Sequence, residues 1–299
     1  MQSEISICGA GAVGIFLAHT ANIVGRTSVK LHSLRRGRSF NRLKVETPGL
    51  DVSSANIRIQ AVENISDVVL LACDIASIDV YLSEIAKVRR GQVTYVYLMQ
   101  NGLLGSACTP KDDGLVLNRI SIGGVSLHLE GDILRCSGNK RPFLDISREE
   151  NKICLSDGKM LLKTLEAIGD VVIRSRECEV VWNKLVRSGP HFLDTLINFD
   201  PSIKMGIEQR LAIARLLFNE YWDIAAIACE NKLSSRTESL SLVEKLVSKG
   251  VVNSGAKRYI NSSSNEEYES LVGRVKDYAL DQGLQVTTLS FVEQLTRKK

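Results

Sequence analysis

From the start of the chain to about residue 176 the hydrophobic pattern switches back and forth between two periods. Short β-branched or apolar runs cover residues 5–8, 28–32, 67–73 and 93–98, and segments with helical spacing, 12–24 and 75–88, lie between them. The unbroken apolar run at 67–73 predicts a strand covered on both faces of a parallel sheet. Weaker strand candidates occur at 43–46 and 57–60. Residues 116–136 alternate with glycine breaks at Gly123, Gly124 and Gly131, and a strand at 143–146, a helix at 157–168 and a last strand at 171–174 follow. Beyond residue 176 the period is helical almost throughout, with candidates at 179–188, 207–229, 237–247, 265–282 and 289–298. The pattern therefore predicts an α/β domain over 1–176 followed by an all-α domain over 177–299, with the active site in the cleft between them.

The first strand runs directly into Gly9-Ala10-Gly11-Ala12-Val13-Gly14 and then into a helix. In that context a GxGxxG spacing reads as a Rossmann-like dinucleotide cradle. Gly9 makes the tight turn, Gly11 lets the backbone approach a pyrophosphate, and Gly14 lets the helix pack closely on the strand. The free N–H groups at the helix start, around Ala12 and Val13, face the phosphates. The second strand ends in Ser33-Leu34-Arg35-Arg36-Gly37-Arg38. An acidic residue here would hold the ribose 2′-hydroxyl of NAD, whereas arginine suits a 2′-phosphate. With no acid and three arginines, the pattern favours NADPH, held by Arg35 and Arg36; a solvated basic loop is the other reading of such a run. The fourth strand ends in Met99-Gln100-Asn101-Gly102. Asn-Gly marks a turn, and at the carboxyl end of a sheet strand it lies on the ligand side.

Composition narrows the function classes. At 299 residues, 44% hydrophobic and 24% charged, the chain reads as a soluble globular protein with room for two domains. A net charge of +4 and 5% aromatic residues leave no basic stripe or stacking cluster for nucleic acid. Residues 5–25 carry no charge, but the glycines, His19, Thr20 and Asn22 within them argue against a membrane span, and Met1-Gln2-Ser3-Glu4 lacks a basic signal-peptide region. Seven scattered cysteines without a CxxC pair argue against a disulfide framework or a metal site and fit a reducing cytoplasm. Apolar helices in the second half leave a homodimer open.

Together with the glycine motif, Gln100-Asn101-Gly102, Trp182-Asn183-Lys184-Leu185 and Glu267-Tyr268-Glu269 with Gly273, Ala279, Gly283 and Val286 resemble the ketopantoate reductases (2-dehydropantoate 2-reductases) nearly end to end. That family reduces ketopantoate to pantoate with NADPH. The resemblance implies that Lys184 polarises the keto oxygen and supplies its proton. It implies that Glu267, an acid on a C-terminal helix, orients substrate hydroxyl and lysine, and that Asn101 lies near nicotinamide and substrate. The roles agree with the chemistry, since reduction of a carbonyl builds alkoxide charge that an ammonium can stabilise and protonate.

The chain departs from the family in its substrate half. Ser188 and Phe192 stand where asparagines are usual, Asp74 stands where a lysine is common, and Ser254-Gly255-Ala256-Lys257-Arg258 does not reproduce the family's serine-rich carboxylate site. Lys257 or Arg258 is a candidate for that lost contact. Ser188, four residues after Lys184, can face the same way, and Pro190 predicts a kink or end of the helix there. His191 reads either as a proton donor or carboxylate partner, or as a packed histidine after the helix break. Two functions remain: an NADPH-dependent reductase of a 2-oxo acid or related carbonyl or imine, and a non-catalytic NADP(H)-binding or sensor protein of the same fold.

Overall fold

The computed structural model describes residues 4–24, 29–34, 40–46, 53–89, 93–104, 113–147, 155–261 and 265–297. They fall into two units, one within Met1–Gln100 and Ser106–Val180, the other within Asn101–Gly105 and Val181–Lys299.

The first unit is an α/β sheet built from β1 (Ile5–Cys8), α1 (Ala12–Val24), β2 (Val29–His32), β3 (Phe40–Glu46), β4 (Ser53–Ile57), β5 (Ile59–Gln60), β6 (Val68–Leu71), α2 (Ile78–Val88), β7 (Thr94–Leu98), β8 (Leu115–Glu130), β9 (Ile133–Ser147), α3 (Leu155–Ile168) and β10 (Asp170–Arg174). Strand order is β4-β3-β9-β8-β7-β6-β1-β2-β5, with β10 paired to β9. The strands from β5 through β8 are all parallel, with Ile7 level with Leu31 on one side and Leu70 on the other. All four residues of β1 and of β6 are buried, as a strand covered on both faces requires.

The glycine-broken stretch after residue 115 is more regular than its sequence. β8 is one long strand that pairs in parallel with β7 up to Arg119, then antiparallel with β9 from Ile120. The glycines sit at its irregularities rather than at its ends: the register shifts between Gly123 and Val125, Gly124 has φ +79° and Gly131 in the turn has φ +56°.

The second unit contains α4 (Glu177–Phe199, from Val181 onward), α5 (Ile207–Ala228), α6 (Arg236–Ser248), α7 (Ser254–Asn261), α8 (Glu266–Tyr268), a π-helical turn Glu269–Gly273, α9 (Arg274–Asp281) and α10 (Thr287–Thr296). Two expectations are corrected here. The helix expected to stop near Ser188 does not end at Pro190: α4 continues to Phe199. Proline inside a helix costs roughly 3 kcal/mol. Downstream of it Phe192, Leu193, Leu196 and Ile197 are all buried, each burial contributing about 1.5–3 kcal/mol, so packing outweighs the lost bond. The helix expected over 265–282 is three pieces, with the π turn in the middle. α7 had no counterpart in the sequence reading. No described helix is long and apolar enough to cross a membrane.

Candidate functional site

The glycine turn belongs to the first unit. Gly9 has φ +116°, a region side chains rarely enter, and a Cβ on it would stand 2.6 Å from the carbonyl carbon and oxygen of Ala72, just past the end of β6. A Cβ on Gly14 would collide with the Gly9 carbonyl oxygen. Gly11 is different: it is exposed and nothing lies within 4 Å of where its Cβ would be. Two glycines are therefore demanded by the turn itself, while the third leaves open space before the start of α1, whose first-turn N–H groups have no intrahelical acceptor. Ala12 and Val13, half-buried, begin that helix. This is a cradle in which backbone can meet phosphate.

At the ends of the neighbouring strands, Gln100 donates from Nε2 to the carbonyls of Leu71 and Cys73, each at 3.0 Å, and its own carbonyl accepts from Arg119 Nη2 at 3.0 Å. Asp74, found where a cation is common, caps the 3-10 turn Ile75–Ser77 by accepting the Ser77 N–H at 2.9 Å. Arg35 and Arg36 lie outside the described residues.

In the second unit Lys184 is half-exposed on α4, and one turn later Ser188 donates its hydroxyl to the Lys184 carbonyl at 2.9 Å. The Ser188 hydroxyl proton is thus committed to backbone. His191 Nε2 lies 2.7 Å from the Val251 carbonyl. A carbonyl only accepts, so Nε2 carries the proton and Nδ1 presents its lone pair, 3.4 Å from Asn253 Nδ2. The Asn253 amide is oriented independently, because its Oδ1 accepts the N–H groups of Gly255 at 2.9 Å and Ala256 at 3.2 Å. Burial lowers the pKa of His191, and the charge of Lys184 pushes the same way against the Val251 hydrogen bond and Asp194. His191 is a packed, neutral histidine at neutral pH.

His19 and His32 are lowered in the same direction, again mainly by burial. All three sit below the usual 6.5 in the folded chain and return to it on unfolding, so the unfolded state binds more protons as pH falls through that range. Stability is accordingly full above about pH 6.5 and is lost progressively below it. Thermal melts followed by circular dichroism between pH 7.5 and 5 are expected to show a falling Tm, at about 2–4 °C for each kcal/mol lost. A flat profile would contradict the neutral assignment.

Glu267 pairs with Arg258. Its side chain is 17% exposed and both carboxylate oxygens accept from a single nitrogen, Arg258 Nη2, at 3.0 and 3.1 Å. A Cβ on Gly255 would be 2.5 Å from Glu267 Oε1 and 3.1 Å from Asn253 Oδ1, so the bare backbone of Gly255 is what lets the glutamate approach the Asn253 turn. His191 thus lies beside Asn253, Asn253 caps the turn at Gly255, and Glu267 with Arg258 lies against that glycine, while Lys184 acts on His191 through its charge. Asn253 and the Glu267–Arg258 pair were missed by the sequence reading; Asn253-Ser254-Gly255 did carry an Asx-turn signature.

Asn101 is half-exposed and opens the short segment that the second unit holds. Gly102 has φ +86°, and a Cβ on it would stand 2.7 Å from the Ser270 carbonyl carbon. The Leu103 N–H donates to the Ser270 carbonyl at 2.8 Å, and the Leu103 carbonyl accepts from Arg274 Nη1 at 3.0 Å. Ser270 belongs to the π turn, whose Leu271 carbonyl accepts from the buried Tyr221 hydroxyl at 2.5 Å. Gly189 on α4 leaves the room that the Tyr221 ring fills. Widened turns of this kind recur near functional sites, and here two of its carbonyls bind groups from distant parts of the chain.

No family model matches the chain, and no curated protein matches it by sequence. Solved structures do match. A ketopantoate reductase from Ralstonia eutropha JMP134 is 17% identical over 98% of this chain and 97% of that one, with a TM-score of 0.74. This chain shares that fold. A dimeric ketopantoate reductase from Staphylococcus aureus is 16% identical over 98% of this chain and 97% of its own, with a TM-score of 0.70. A D-mandelate dehydrogenase solved with NADH and anilino(oxo)acetate is 14% identical over 98% of this chain and 96% of its own, with a TM-score of 0.72.

Proposed function

We propose that the chain is a nicotinamide-dinucleotide-dependent reductase of a 2-oxo acid or a related carbonyl or imine, with NADPH preferred over NADH. The observation that carries this reading is the glycine turn, where Gly9 and Gly14 are required by the backbone and Gly11 leaves open space at a helix start. The fold shared with ketopantoate reductases and with a dehydrogenase holding NADH supports it.

Bound NADPH would supply the hydride. Gly9, Gly11 and Gly14, with the N–H groups around Ala12 and Val13, hold its pyrophosphate, and Arg35 and Arg36 hold the 2′-phosphate. Lys184 stabilises the charge that develops on the carbonyl oxygen and delivers a proton from Nζ. Glu267 orients the substrate, and Asn101 positions substrate and nicotinamide on the segment clamped by Ser270 and Arg274. Ser188 contributes through the backbone of Lys184 rather than by a free hydroxyl proton.

The experiment is a panel of 2-oxo acids and imino acids scored by NADPH consumption, with Lys184→Ala as control. Turnover of one member that the control loses supports the reading; NADPH binding without turnover across the panel would favour a non-catalytic dinucleotide-binding protein instead. For the cofactor, Arg35→Ala combined with Arg36→Ala is expected to weaken NADPH by about 10- to 100-fold, from the loss of charge-assisted hydrogen bonds, while leaving NADH nearly unchanged. Equal affinities for the two cofactors in the parent protein would remove the arginine assignment.

A further inference from the structure

The π turn Glu269–Gly273 changes which carbonyls the helix keeps for itself. In a continuous α-helix the Arg274 N–H would bond the Ser270 carbonyl four residues back. Here it bonds the Glu269 carbonyl, one residue further back. With that N–H diverted, the Ser270 carbonyl accepts from the Leu103 N–H at 2.8 Å. The Arg274 side chain reaches the other backbone group of the same residue, with Nη1 on the Leu103 carbonyl at 3.0 Å. Leu103, two residues after Asn101, is therefore held at both its N–H and its carbonyl by residues one helical turn apart.

The same two residues also hold α8, which carries Glu267. Ser270 is fully buried and donates its hydroxyl to the Glu267 carbonyl at 2.9 Å. Arg274 donates from Nη2 to the Glu266 carboxylate at 3.3 Å. Two parallel bridges thus run from Leu103 to α8, one through Ser270 and one through Arg274, with Asn101 beside one end and Glu267 at the other. A serine hydroxyl bonded three residues back is by itself a local contact. The bridges are not local, since Arg274 and Leu103 lie 171 residues apart. The fit is close, because a Cβ on Gly102 would stand 2.8 Å from Ser270 Oγ. The turn is supported in its own right: the Tyr221 hydroxyl holds the Leu271 carbonyl at 2.5 Å, and Arg297 Nη2 holds the Glu269 carboxylate at 3.0 Å.

We infer that Ser270 and Arg274 are positioning residues for the reduction: they fix Asn101 and Glu267 relative to one another, so that the two meet the substrate as one rigid pair. The inference rests on the reductase reading above. Ser270 is buried and Arg274 is engaged at both Nη atoms, so each acts through Asn101 and Glu267 rather than on the substrate. A displacement of about 1 Å in a positioned group costs on the order of 100-fold in rate, so loosening the pair acts on kcat and leaves NADPH binding alone.

The test is a pair of double-mutant cycles on the full chain with NADPH and a substrate from the panel. Arg274→Gln is expected to lower kcat by about 10- to 100-fold with KM for NADPH within about twofold, and to have no more than about a twofold effect once Asn101 is replaced by alanine. Ser270→Ala is expected to lower kcat by about 3- to 10-fold, the range for one neutral hydrogen bond, and to lose that effect in the Glu267→Gln background. Arg274→Lys keeps a charged donor for the Leu103 carbonyl and is expected to recover most of the lost kcat. Hydrogen exchange of a peptide spanning Met99–Leu104 reads the clamp without turnover, and Arg274→Gln is expected to speed exchange there by about tenfold or more. Losses that persist undiminished in the Asn101→Ala and Glu267→Gln backgrounds would mark a merely structural role and overturn the assignment. An unchanged kcat, unchanged exchange, or a lysine variant no better than glutamine would do the same. Should Arg274→Gln fail to fold, the Ser270→Ala cycle carries the same comparison. If the parent protein is active and neither cycle shows coupling, the positioning role falls alone while the reductase reading stands. If the parent reduces nothing although exchange responds, the reductase reading falls and takes the positioning role with it.

Discussion

Replacing Lys184 by alanine is expected to lower kcat by about 100- to 10,000-fold, the range for loss of a positioned general acid, while dinucleotide affinity stays within about twofold. The separation follows from where the two functions lie. Lys184 belongs to α4 in the second unit and the glycine turn to the first, so deleting the ammonium leaves the cradle intact. Alanine is the best helix former, and the neighbouring Trp182, Asn183, Leu185 and Val186 are buried, so α4 should persist through the change. Steady-state turnover of a substrate from the panel, with NADPH binding followed by fluorescence titration, checks both halves. A variant that keeps turnover would remove Lys184 from the chemistry, and one that loses both activities together would point to a damaged fold.

The second large effect concerns two glycines three positions apart. Gly14→Ala is expected to destabilise the first unit by about 3 kcal/mol or more, since its Cβ collides with the Gly9 carbonyl and backbone atoms have no rotamer by which to yield. Gly11→Ala is expected to change stability by no more than about 0.5 kcal/mol, as a methyl group there meets open space. If that space is where a pyrophosphate sits, the same methyl group weakens NADPH binding by about tenfold or more, roughly 1.4 kcal/mol. Denaturant melts and NADPH titrations on the two variants form a crossed design. Gly11→Ala with unaltered NADPH affinity would remove the phosphate cradle from this turn. Gly14→Ala with an unaltered melt would show that the turn is looser than its geometry implies.

Buried cysteines fit the same picture of an interior that is chemically quiet away from the site. Burial pushes the Cys8 thiol up to about 12 and that of Cys136 up to about 11, so neither forms a thiolate near neutral pH.

How much of this was legible beforehand depends on the range of the interactions involved. The strand, glycine turn and helix from Ile5 to Val24 were readable because periodicity and glycine spacing act within about ten residues, and the apolar run of β6 announced a parallel sheet by lacking a polar face. β8 and β9 were harder, since their glycines look like strand ends and act as a bulge and a hairpin turn whose shape is set by the partner strand. The helix α7 was missed because Ser254-Gly255-Ala256-Lys257-Arg258 has poor local propensity and forms under the cap that Asn253 supplies.

The sequence by itself determined the α/β order of the first unit, the helical nature of the second and the three glycines, all through patterns that a chain carries in its own local spacing; Lys184 was a candidate only through the family resemblance. Only the tertiary structure decided that α4 runs through Pro190, because burial of Phe192, Leu193, Leu196 and Ile197 is a nonlocal gain that exceeds a local cost. It alone decided that His191 is neutral, through burial, that its Nε2 carries the proton, through a carbonyl sixty residues away, and that Asn101 sits on a segment clamped by a π turn some 170 residues later in the chain. It also joined Arg258 to Glu267. Such pairings depend on which surfaces meet when helices pack, and one-dimensional spacing carries no record of that.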